Sequence, residues 1–317
     1  MKKNIIKSIV FILILSICLI ILSRIVYPKN NSADYGMHAK DANGILAEPK
    51  NSLDVIIVGN SQAYSSIIPT EIWNKYGYTS YVCASPAQTL PHSIRLLYEI
   101  DNLQRPQIIV LEANSAFQST KYHEATDQGL NYLVKAYQYH NRWKTLSLED
   151  FTTTTKYTTI NRLKGFNYTR ETEGRDENEK EFEDNDATIP KSNRIYIKKI
   201  RDYCKERKIQ FFIVNAPTKK YWGTRNHEVL EEFCKENEIE YLDLNMYEKE
   251  MNLDWSADTR DGGEHVNYQG ALKATKFFGT YLNDKGILKS HKDDEQYNSW
   301  NDSYKKYKEI VEKDEIS

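Results

Sequence analysis

Two segments about 200 residues apart carry side chains of the types that catalyse acyl transfer. Ser61 follows a run of β-branched residues, within Gly-Asn-Ser-Gln-Ala, and His265 ends the segment Asp-Gly-Gly-Glu-His. A serine hydroxyl needs a base to become a nucleophile, and histidine suits that role because its unperturbed pKa is about 6.5. Asp261, four residues before the histidine, offers an acceptor for the second ring nitrogen. Together these residue types favour nucleophilic catalysis by a serine.

Each of these features alone has a simpler interpretation. A serine just after a strand is often the N-cap of the next helix, and Ser61 taken singly fits that pattern. Taken singly, His265 is a histidine of a surface loop. The acid also has two candidates, because Asp258 precedes the same histidine by seven residues and Asp261 by four. The catalytic hypothesis therefore depends on the two segments meeting in space.

The elements that must position these residues alternate between strands and helices. Near-continuous apolar runs, which suit strands buried on both faces, alternate with segments of helical periodicity. This alternation predicts a doubly wound α/β fold with a parallel sheet, and its ligand crevice lies at the carboxyl ends of the strands. The five predicted strands are 53–58, 78–83, 107–111, 209–214 and 239–244.

The N-terminus has the composition of a membrane anchor. Lys2, Lys3 and Lys7 precede an apolar stretch, 9–22, that is interrupted only by a serine. A bilayer core takes roughly 20 apolar residues, and no small-residue cleavage site follows this stretch, so an uncleaved anchor is favoured over a cleaved signal peptide. The three lysines predict a cytoplasmic N-terminus, with the chain crossing the cell membrane once and the catalytic domain outside the cytoplasm.

Charge and composition exclude several classes of function. Lys and Arg total 43 against 45 Asp and Glu, a net charge of −2, which argues against nucleic-acid binding. The mean hydropathy of −0.68 excludes a protein with many membrane spans. No Cys-x-x-Cys or His-Glu-x-x-His pattern occurs, so neither a metal site nor another cofactor is predicted. A disulfide between Cys204 and Cys234 stays open as an alternative to free thiols.

The pattern also predicts how the chain is divided. A polar tether would follow the anchor, and the α/β domain would contain a long insertion. The start of the insertion is rich in Tyr and Thr and suits a cap over the site; its acidic end suits a solvated or disordered loop. An aromatic stripe on the C-terminal helix is expected to dock on the domain's own surface. The predicted segments are the anchor 1–27, tether 28–51, domain 52–285, insertion 115–190 and charged helix 286–317.

The segments GNSQAYSSI and DGGEHVNYQGA resemble the signature blocks of the SGNH (GDSL-type) hydrolase superfamily. Within it, the chain resembles the membrane-anchored bacterial branch that includes the D-alanyl-teichoic-acid transfer protein and the partners of membrane-bound O-acyltransferases. The resemblance covers about 52–285 and implies a flavodoxin-like sheet. The nucleophile block near the start and the histidine block near the end also distinguish this pattern from the α/β-hydrolases.

The resemblance implies a role for each matched residue. Ser61 matches the nucleophile and His265 the general base. Asp261 matches the orienting acid, although the family usually places it three residues before the histidine, which leaves Asp258 in reserve. The oxyanion would be bound by the backbone N–H groups of Ser61 and of Ala84 or Ser85, and by the side-chain amide of Asn114. Asn267 would form a turn or support the site.

The function implied is that of an extracytoplasmic serine esterase or O-acyltransferase acting on acyl groups of a cell-surface glycan or teichoic acid. A membrane-bound O-acyltransferase is a candidate partner. The alternative is a non-catalytic, membrane-anchored scaffold with an SGNH-like shell that binds glycan or such an acyltransferase. The family usually has a glycine after the second strand and Gly-x-Asn-Asp after the third; this sequence has neither pattern, which favours this alternative. The retained Ser, His and Asp oppose it.

Overall fold

The computed structural model describes residues 2–118, 134–176, 179–180, 182–183 and 186–316. The strands are β1 (Val55–Gly59), β2 (Ser80–Ala84), β3 (Ile108–Glu112), β4 (Gln210–Asn215) and β5 (Glu240–Asp243). The described α-helices are α1 (Lys2–Val26), α2 (Lys40–Asn43), α3 (Ser61–Ser66), α4 (Pro69–Tyr76), α5 (Leu90–Ile100), α6 (Lys135–Tyr139), α7 (Glu149–Thr152), α8 (Lys191–Arg207), α9 (Thr224–Glu236), α10 (Glu248–Met251), α11 (Tyr268–Asp284) and α12 (Asn298–Ile316).

The chain forms two compact units. The first consists of Met1–Lys40 and Lys121–Thr159, and the second of Asp41–Thr120 and Ile160–Ser317. The second unit holds the sheet and is the α/β fold that the sequence predicts. Of the predicted insertion, 134–159 belong to the first unit and the described residues from 160 onward to the second; 119–133 lie outside the described residues.

The sheet is parallel throughout, with the strand order β2-β1-β3-β4-β5. Each predicted strand is present, shifted by no more than a few residues, so the predicted fold class is confirmed. The order reverses direction at β1, because the chain passes from β1 outward to β2 and then back to β3 on the other side. A crevice opens at such a switch point, at the carboxyl ends of the strands. The residues that directly follow β1 and β3 therefore face this crevice.

Side chains of the strands alternate between two cores, one on each face of the sheet. Ile56, Val58 and Leu111 point to the face covered by α5, α8 and α9. Their neighbours Val55 and Ile57 point to the opposite face, against α3, α4 and α11. This alternation is the two-residue period of a strand, and both faces are apolar because helices cover both. The strands are consequently fixed in register, and the residues at their ends are held in place.

The C-terminal helix and part of the predicted tether complete the second unit. Trp300 and Tyr307 of α12 are fully buried, so the aromatic stripe packs on this unit's own core. From Asp41 onward the chain is packed rather than extended. Glu48 pairs there with Lys164, both side chains being 1% exposed, with a nitrogen–oxygen distance of 2.7 Å. A buried charge needs such a partner, and this pair joins the two chain segments of the unit to each other.

The thiols of the second unit are free. Cys204 and Cys234 form no disulfide, so that alternative is wrong. Both side chains are buried in the apolar core, and burial raises the pKa of each to about 12. They pack as small hydrophobic residues. Cys83 of β2 is likewise buried, and burial raises the pKa of its thiol well above the ordinary value.

The first unit contains α1, which is long and apolar enough to cross a membrane. The candidate span is Lys3–Val26, and a signal sequence would meet the same criteria of length and composition. The large side chains of its apolar stretch are exposed. The segment that contains α6 and α7 packs beside the C-terminal end of α1.

Candidate active site

Ser61 is the first residue of α3, directly beyond the end of β1. Asn60, not Ser61, is the N-cap: its side-chain oxygen accepts from the backbone N–H of Gln62 at 3.0 Å. The N-cap interpretation of Ser61 is therefore wrong, and its hydroxyl is free for another role. Gly59, the last residue of β1, lets β3 approach closely, since a Cβ there would lie 2.4 Å from the Glu112 Cβ.

A tight loop after α10 carries the histidine. Thr259 and Val266 pair in an antiparallel bridge, and the Thr259 hydroxyl donates to the His265 carbonyl at 2.8 Å. Between them Gly262 and Gly263 have φ of +68° and +96°, in the region that glycine adopts most readily. These two residues turn the chain back on itself, and the turn brings the preceding aspartate to the imidazole.

The three predicted side chains meet. The imidazole Nε2 of His265 is 2.8 Å from the Ser61 Oγ, and its Nδ1 is 2.6 Å from the Asp261 carboxylate. His265 is 7% exposed and Ser61 is half-buried, so the hydroxyl can be reached while the base is shielded. This is the geometry in which an imidazole, oriented by an aspartate, can take the proton of a serine hydroxyl.

The aspartate of this cluster stays ionised. Burial raises the pKa of Asp261, but hydrogen bonds from the side chain and backbone of His265 and the nearby Arg260 charge lower it by more, so the net pKa is below the usual value. A carboxylate that holds its charge stabilises the imidazolium formed when His265 takes a proton.

The other candidates from the histidine segment have different contacts. Asp258 forms an ion pair with Lys273 at 2.6 Å and accepts from the backbone N–H of Asp254. It is thus placed as a structural ion pair, and the residue beside the imidazole is Asp261. Asn267 is the N-cap of α11, since its side-chain oxygen accepts from two backbone N–H groups of the first turn. That position fixes the helix that follows the loop.

The predicted oxyanion donors lie at the ends of the neighbouring strands. Ala84 is the last residue of β2 and pairs in register with Gly59, just before the nucleophile. Asn114 lies two residues beyond β3, and its side-chain oxygen accepts from the Asn60 amide at 3.2 Å. The structure thus places both beside the turn that carries Ser61.

Glu112, at the end of β3, holds the turn that carries Asn114. Its carboxylate accepts from the backbone N–H groups of Asn114 and Ser115, at 2.8 and 3.3 Å. The side chain is 2% exposed, and burial raises its pKa to about 7, despite the hydrogen bonds from this turn that lower it. Sequence analysis missed this residue. The signal in the sequence that could have identified it is a charged residue at the end of an otherwise apolar strand.

Tyr64 and Arg260 were also missed. Tyr64 lies one helical turn after Ser61; burial raises the pKa of its hydroxyl, while the nearby Arg260 charge and the Ser61 side chain lower it. Arg260 donates to the Ser65 hydroxyl at 2.9 Å and lies 3.7 Å from the Asp261 carboxylate. These contacts join α3 to the histidine loop. The spacing of three between Ser61 and Tyr64 placed both on one helix face.

Gln62 makes a second connection between α3 and the histidine loop. Its amide nitrogen donates to the backbone carbonyl of Glu264 at 2.8 Å. Its side-chain oxygen is buried and has no hydrogen-bond partner among the described residues. Gln62, next to the candidate nucleophile, therefore holds the backbone of Glu264, next to the candidate base.

Two further segments support the histidine loop from outside. Lys220, in the loop after β4, donates through its ammonium group to the Asp261 carbonyl at 3.0 Å. The first part of the charged stretch is attached as well, because Glu173 exchanges backbone hydrogen bonds with Thr259 and Gly262. This part is exposed, as predicted, but it is held in place by the loop rather than detached from it.

The same loop contains the one group of potential metal ligands found among the described residues. Ligand atoms of Asp261, Glu264 and His265 lie within 4.8 Å of one another. Both imidazole nitrogens already face hydrogen-bond partners, Ser61 and Asp261, so a metal ion could bind the histidine only by breaking one of these contacts.

Searches of family models and of curated proteins found no match for the sequence. Similar solved structures include a GDSL-like lipase from Bacteroides thetaiotaomicron VPI-5482, 11% identical, with 77% of this chain and 99% of that chain covered at a TM-score of 0.40. A lipase/acylhydrolase from Enterococcus faecalis is 12% identical, with 75% and 98% covered at a TM-score of 0.39. An acetyl xylan esterase (Est2A) from Butyrivibrio proteoclasticus is 10% identical, with 76% and 66% covered at a TM-score of 0.37. Likenesses at this level assign no activity, which must be inferred from this chain's own side chains.

Proposed function

We propose that this protein is a serine esterase of the SGNH type, which cleaves ester bonds through an acyl-enzyme formed on Ser61. The observation that carries the proposal is the continuous hydrogen-bonded series from the Ser61 hydroxyl through the His265 imidazole to the Asp261 carboxylate, with heavy-atom distances of 2.8 and 2.6 Å. A serine hydroxyl that contacts an imidazole, with an aspartate on the other ring nitrogen, is the arrangement that activates a serine nucleophile.

In the first half of the reaction, the Ser61 Oγ attacks the carbonyl carbon of the ester while the His265 Nε2 takes the hydroxyl proton. The carbonyl oxygen becomes an oxyanion, which the backbone N–H groups of Ser61 and Ala84 and the Asn114 amide would stabilise. Each such donor is typically worth a few kcal/mol in the transition state. The intermediate collapses when the protonated His265 gives its proton to the departing alkoxide, which leaves the acyl group on Ser61.

In the second half, a hydroxyl compound replaces the departed alcohol. Water attacks the acyl carbon, His265 takes its proton and then returns it to the Ser61 oxygen, and a free acid leaves. If a hydroxyl group of a glycan or polyol occupies the same position, the acyl group is transferred instead of hydrolysed. O-acyl transfer is thus the same chemistry with another acceptor, and a membrane-bound O-acyltransferase is the proposed partner in that case.

The proposed substrate is an acyl group on a cell-surface glycan or teichoic acid, outside the cytoplasm. The three lysines in the first turns of α1 support an outward-facing catalytic unit. An anchored enzyme works on material at the membrane surface, and the 23 tyrosines of the chain supply faces suited to sugar rings.

The proposal is tested by replacing the nucleophile. We expect the Ser61→Ala variant of the full chain, purified in detergent, to lose at least about 1,000-fold in turnover of p-nitrophenyl acetate. Ser192→Ala is the matched control, since this serine is exposed on α8 and its hydroxyl donates to its neighbour Asn193. Equal turnover by the wild type and the Ser61→Ala variant would rule out the proposed nucleophile.

The alternative of a non-catalytic scaffold predicts an unactivated serine. A fluorophosphonate probe reacts with a serine hydroxyl only when a base assists it. We therefore expect the wild type to be labelled at Ser61 and the His265→Ala variant to remain unlabelled. Absence of labelling in the wild type would favour the scaffold.

A further inference from the structure

The first unit contains a large cavity beside the apolar helix. It has a volume of about 970 Å³ and lies between the C-terminal half of α1, from Ser16 onward, and two stretches of the chain, 134–135 and 150–155. Pockets for small molecules span roughly 300–1,000 Å³, so this cavity has room for a large ligand. It is remote in sequence from the serine site, and no step proposed above uses it.

The end of α1 is built into this unit through polar contacts. The Arg142 guanidinium is 7% exposed and donates to the carbonyl of Val26, the last residue of α1, at 2.7 Å. The same group pairs with the Asp150 carboxylate at 2.8 Å. The Ser23 hydroxyl accepts from the backbone N–H of Ala136 at 3.1 Å. These contacts make the last turn of α1 a structural part of the unit.

The position of the cavity along α1 places it in one leaflet. Lys7 and Arg24 bracket the apolar stretch and are about 26 Å apart at 1.5 Å per residue, close to the ~30 Å of a hydrocarbon core. The cavity begins at Ser16 and extends about 12 Å along the helix to Arg24. It therefore occupies the half of the span that ends at Arg24, on the side away from the N-terminal lysines.

The lining combines an apolar part with a cationic part. Leu19, Ile20 and Phe151 supply the apolar surface, while Arg24, Lys29 and Lys135 lie toward the end of the helix. Burial lowers the pKa of Lys29, and the positive charges of Arg142 and Arg24 lower it further, against the opposing effect of the Asp150 charge. The Asp150 carboxylate is already paired with Arg142, and among the described residues neither Arg24 nor Lys29 forms an ion pair.

We propose that this cavity binds one anionic phospholipid of the membrane leaflet that contains the C-terminal half of α1. The acyl chains would lie along Leu19 and Ile20, and the phosphate would face Arg24 and Lys29. Thr152–Thr155 offer hydroxyl and backbone groups at the level of the ester and headgroup. A lipid fits better than a soluble anion because the apolar part of the cavity is continuous with the exposed surface of α1, which a bilayer must cover.

Large apolar side chains of the same unit support a position against the membrane. Trp143 is 66%, Leu148 85% and Phe151 60% exposed, and all three come from the segment that holds the end of α1. Exposed aromatic residues close to a membrane helix are typical of the interface between lipid and water. The segment is therefore expected to lie in the headgroup region, which brings the open side of the cavity to lipid.

The test uses the full chain in phosphatidylcholine vesicles that contain a small fraction of phosphatidylglycerol with a photoreactive diazirine in its acyl chain. After illumination we expect labelled peptides from 16–25 and 150–155. Ile20→Trp, which fills the cavity, should lower this labelling about tenfold. Ile14→Trp is the matched control: it makes the same change on an exposed position of α1 that does not line the cavity, and it should leave labelling unchanged.

A second pair of variants tests the headgroup. Lys29→Gln should weaken labelling by the phosphatidylglycerol probe severalfold, whereas Lys40→Gln, outside the cavity, should not. Equal labelling by a phosphatidylcholine probe would overturn the assignment of an anionic headgroup. Labelling spread evenly along α1, or unaffected by Ile20→Trp, would overturn the cavity itself, as would isolation from cells of a chain that lacks α1. None of these results depends on esterase activity.

Discussion

Asp261 accepts two hydrogen bonds from a single residue, His265: one from its backbone N–H at 2.7 Å and one from its ring at 2.6 Å. The backbone contact fixes the carboxylate relative to the histidine's own main chain, and the ring contact then fixes the imidazole. A spacing of four residues permits this because two glycines with positive φ form the turn between them. The spacing of four residues thus leaves the carboxylate in contact with the ring.

This double contact predicts the effect of replacing the acid. In Asp261→Asn the neutral side-chain amide can no longer stabilise an imidazolium. It can also donate a hydrogen bond to the ring, which favours the imidazole tautomer that cannot act as the base. We expect kcat for p-nitrophenyl acetate to fall roughly 10³- to 10⁴-fold, as aspartate replacement does in a serine protease triad. Asp258→Asn, which breaks the pair with Lys273, should lower stability but keep kcat within about threefold. A larger loss of kcat in Asp258→Asn than in Asp261→Asn would exchange the two roles.

The glycine turn gives a second prediction. Gly262 has φ of +68°, and alanine there costs about 1–2 kcal/mol in backbone strain while moving Asp261 away from the ring. Gly286→Ala is an almost ideal control, since its φ is +64° and a Cβ would meet no atom within 4 Å. Both variants should lose similar stability in urea unfolding, but only Gly262→Ala should lose kcat, by at least about tenfold. Equal kcat in the two variants would mean that the turn does not position the acid.

The sequence was sufficient for the parallel sheet, and it singled out three side chains, Ser61, His265 and Asp261, that the structure brings into contact. Buried parallel strands are near-continuous apolar runs, and a polar residue at the end of such a strand must face the crevice, as Ser61 and Asn114 do. The residues that join α3 to the histidine loop were not predictable in this way. Gln62, Tyr64 and Arg260 act through partners that folding alone brings near, so neither periodicity nor spacing marks them.

The packed part of the predicted tether illustrates the same limit. Glu48 and Lys164 lie more than 100 residues apart and appear in the sequence as ordinary charged residues, typical of an exposed surface. Only their pairing offsets the free-energy cost of burying both charges, and a pairing across that distance has no local signature in the sequence. The contact between Arg142 and the end of α1 was hidden for the same reason.

Tyr64 gives a third prediction. Its hydroxyl lies close enough to Ser61 and Arg260 to interact with both, so Tyr64→Phe should leave Ser61 less well oriented without removing any reacting group. A hydrogen bond from this hydroxyl to Ser61 in the reacting complex would be worth about 1–1.5 kcal/mol, which corresponds to a loss of about tenfold in kcat with little change in KM. Tyr76→Phe removes a comparable hydroxyl contact, with Thr280, away from the site and should keep full activity. A Tyr64→Phe variant with wild-type kcat would leave this tyrosine only a packing role.

Glu112 gives a prediction about pH and stability. Burial raises the pKa of its carboxyl from 4.5 to about 7, so between these values the folded chain holds a proton that the unfolded chain releases. Stability from this group is therefore complete below pH 4.5 and declines as the pH rises to 7, by up to about 3 kcal/mol at 1.36 kcal/mol per pH unit. The Glu112→Gln variant cannot ionise at this position and lacks this decline.

The measurement is urea unfolding of wild type and Glu112→Gln at several pH values from 5 upward. We expect the free energy of unfolding of the wild type, relative to that of the variant, to fall as the pH approaches 7 and to level off above it. Glu232→Gln, at an exposed position of α9, should show no such trend relative to the wild type. A wild-type advantage that instead grows with pH would mean that Glu112 is stabilised as a carboxylate by the N–H groups of Asn114 and Ser115.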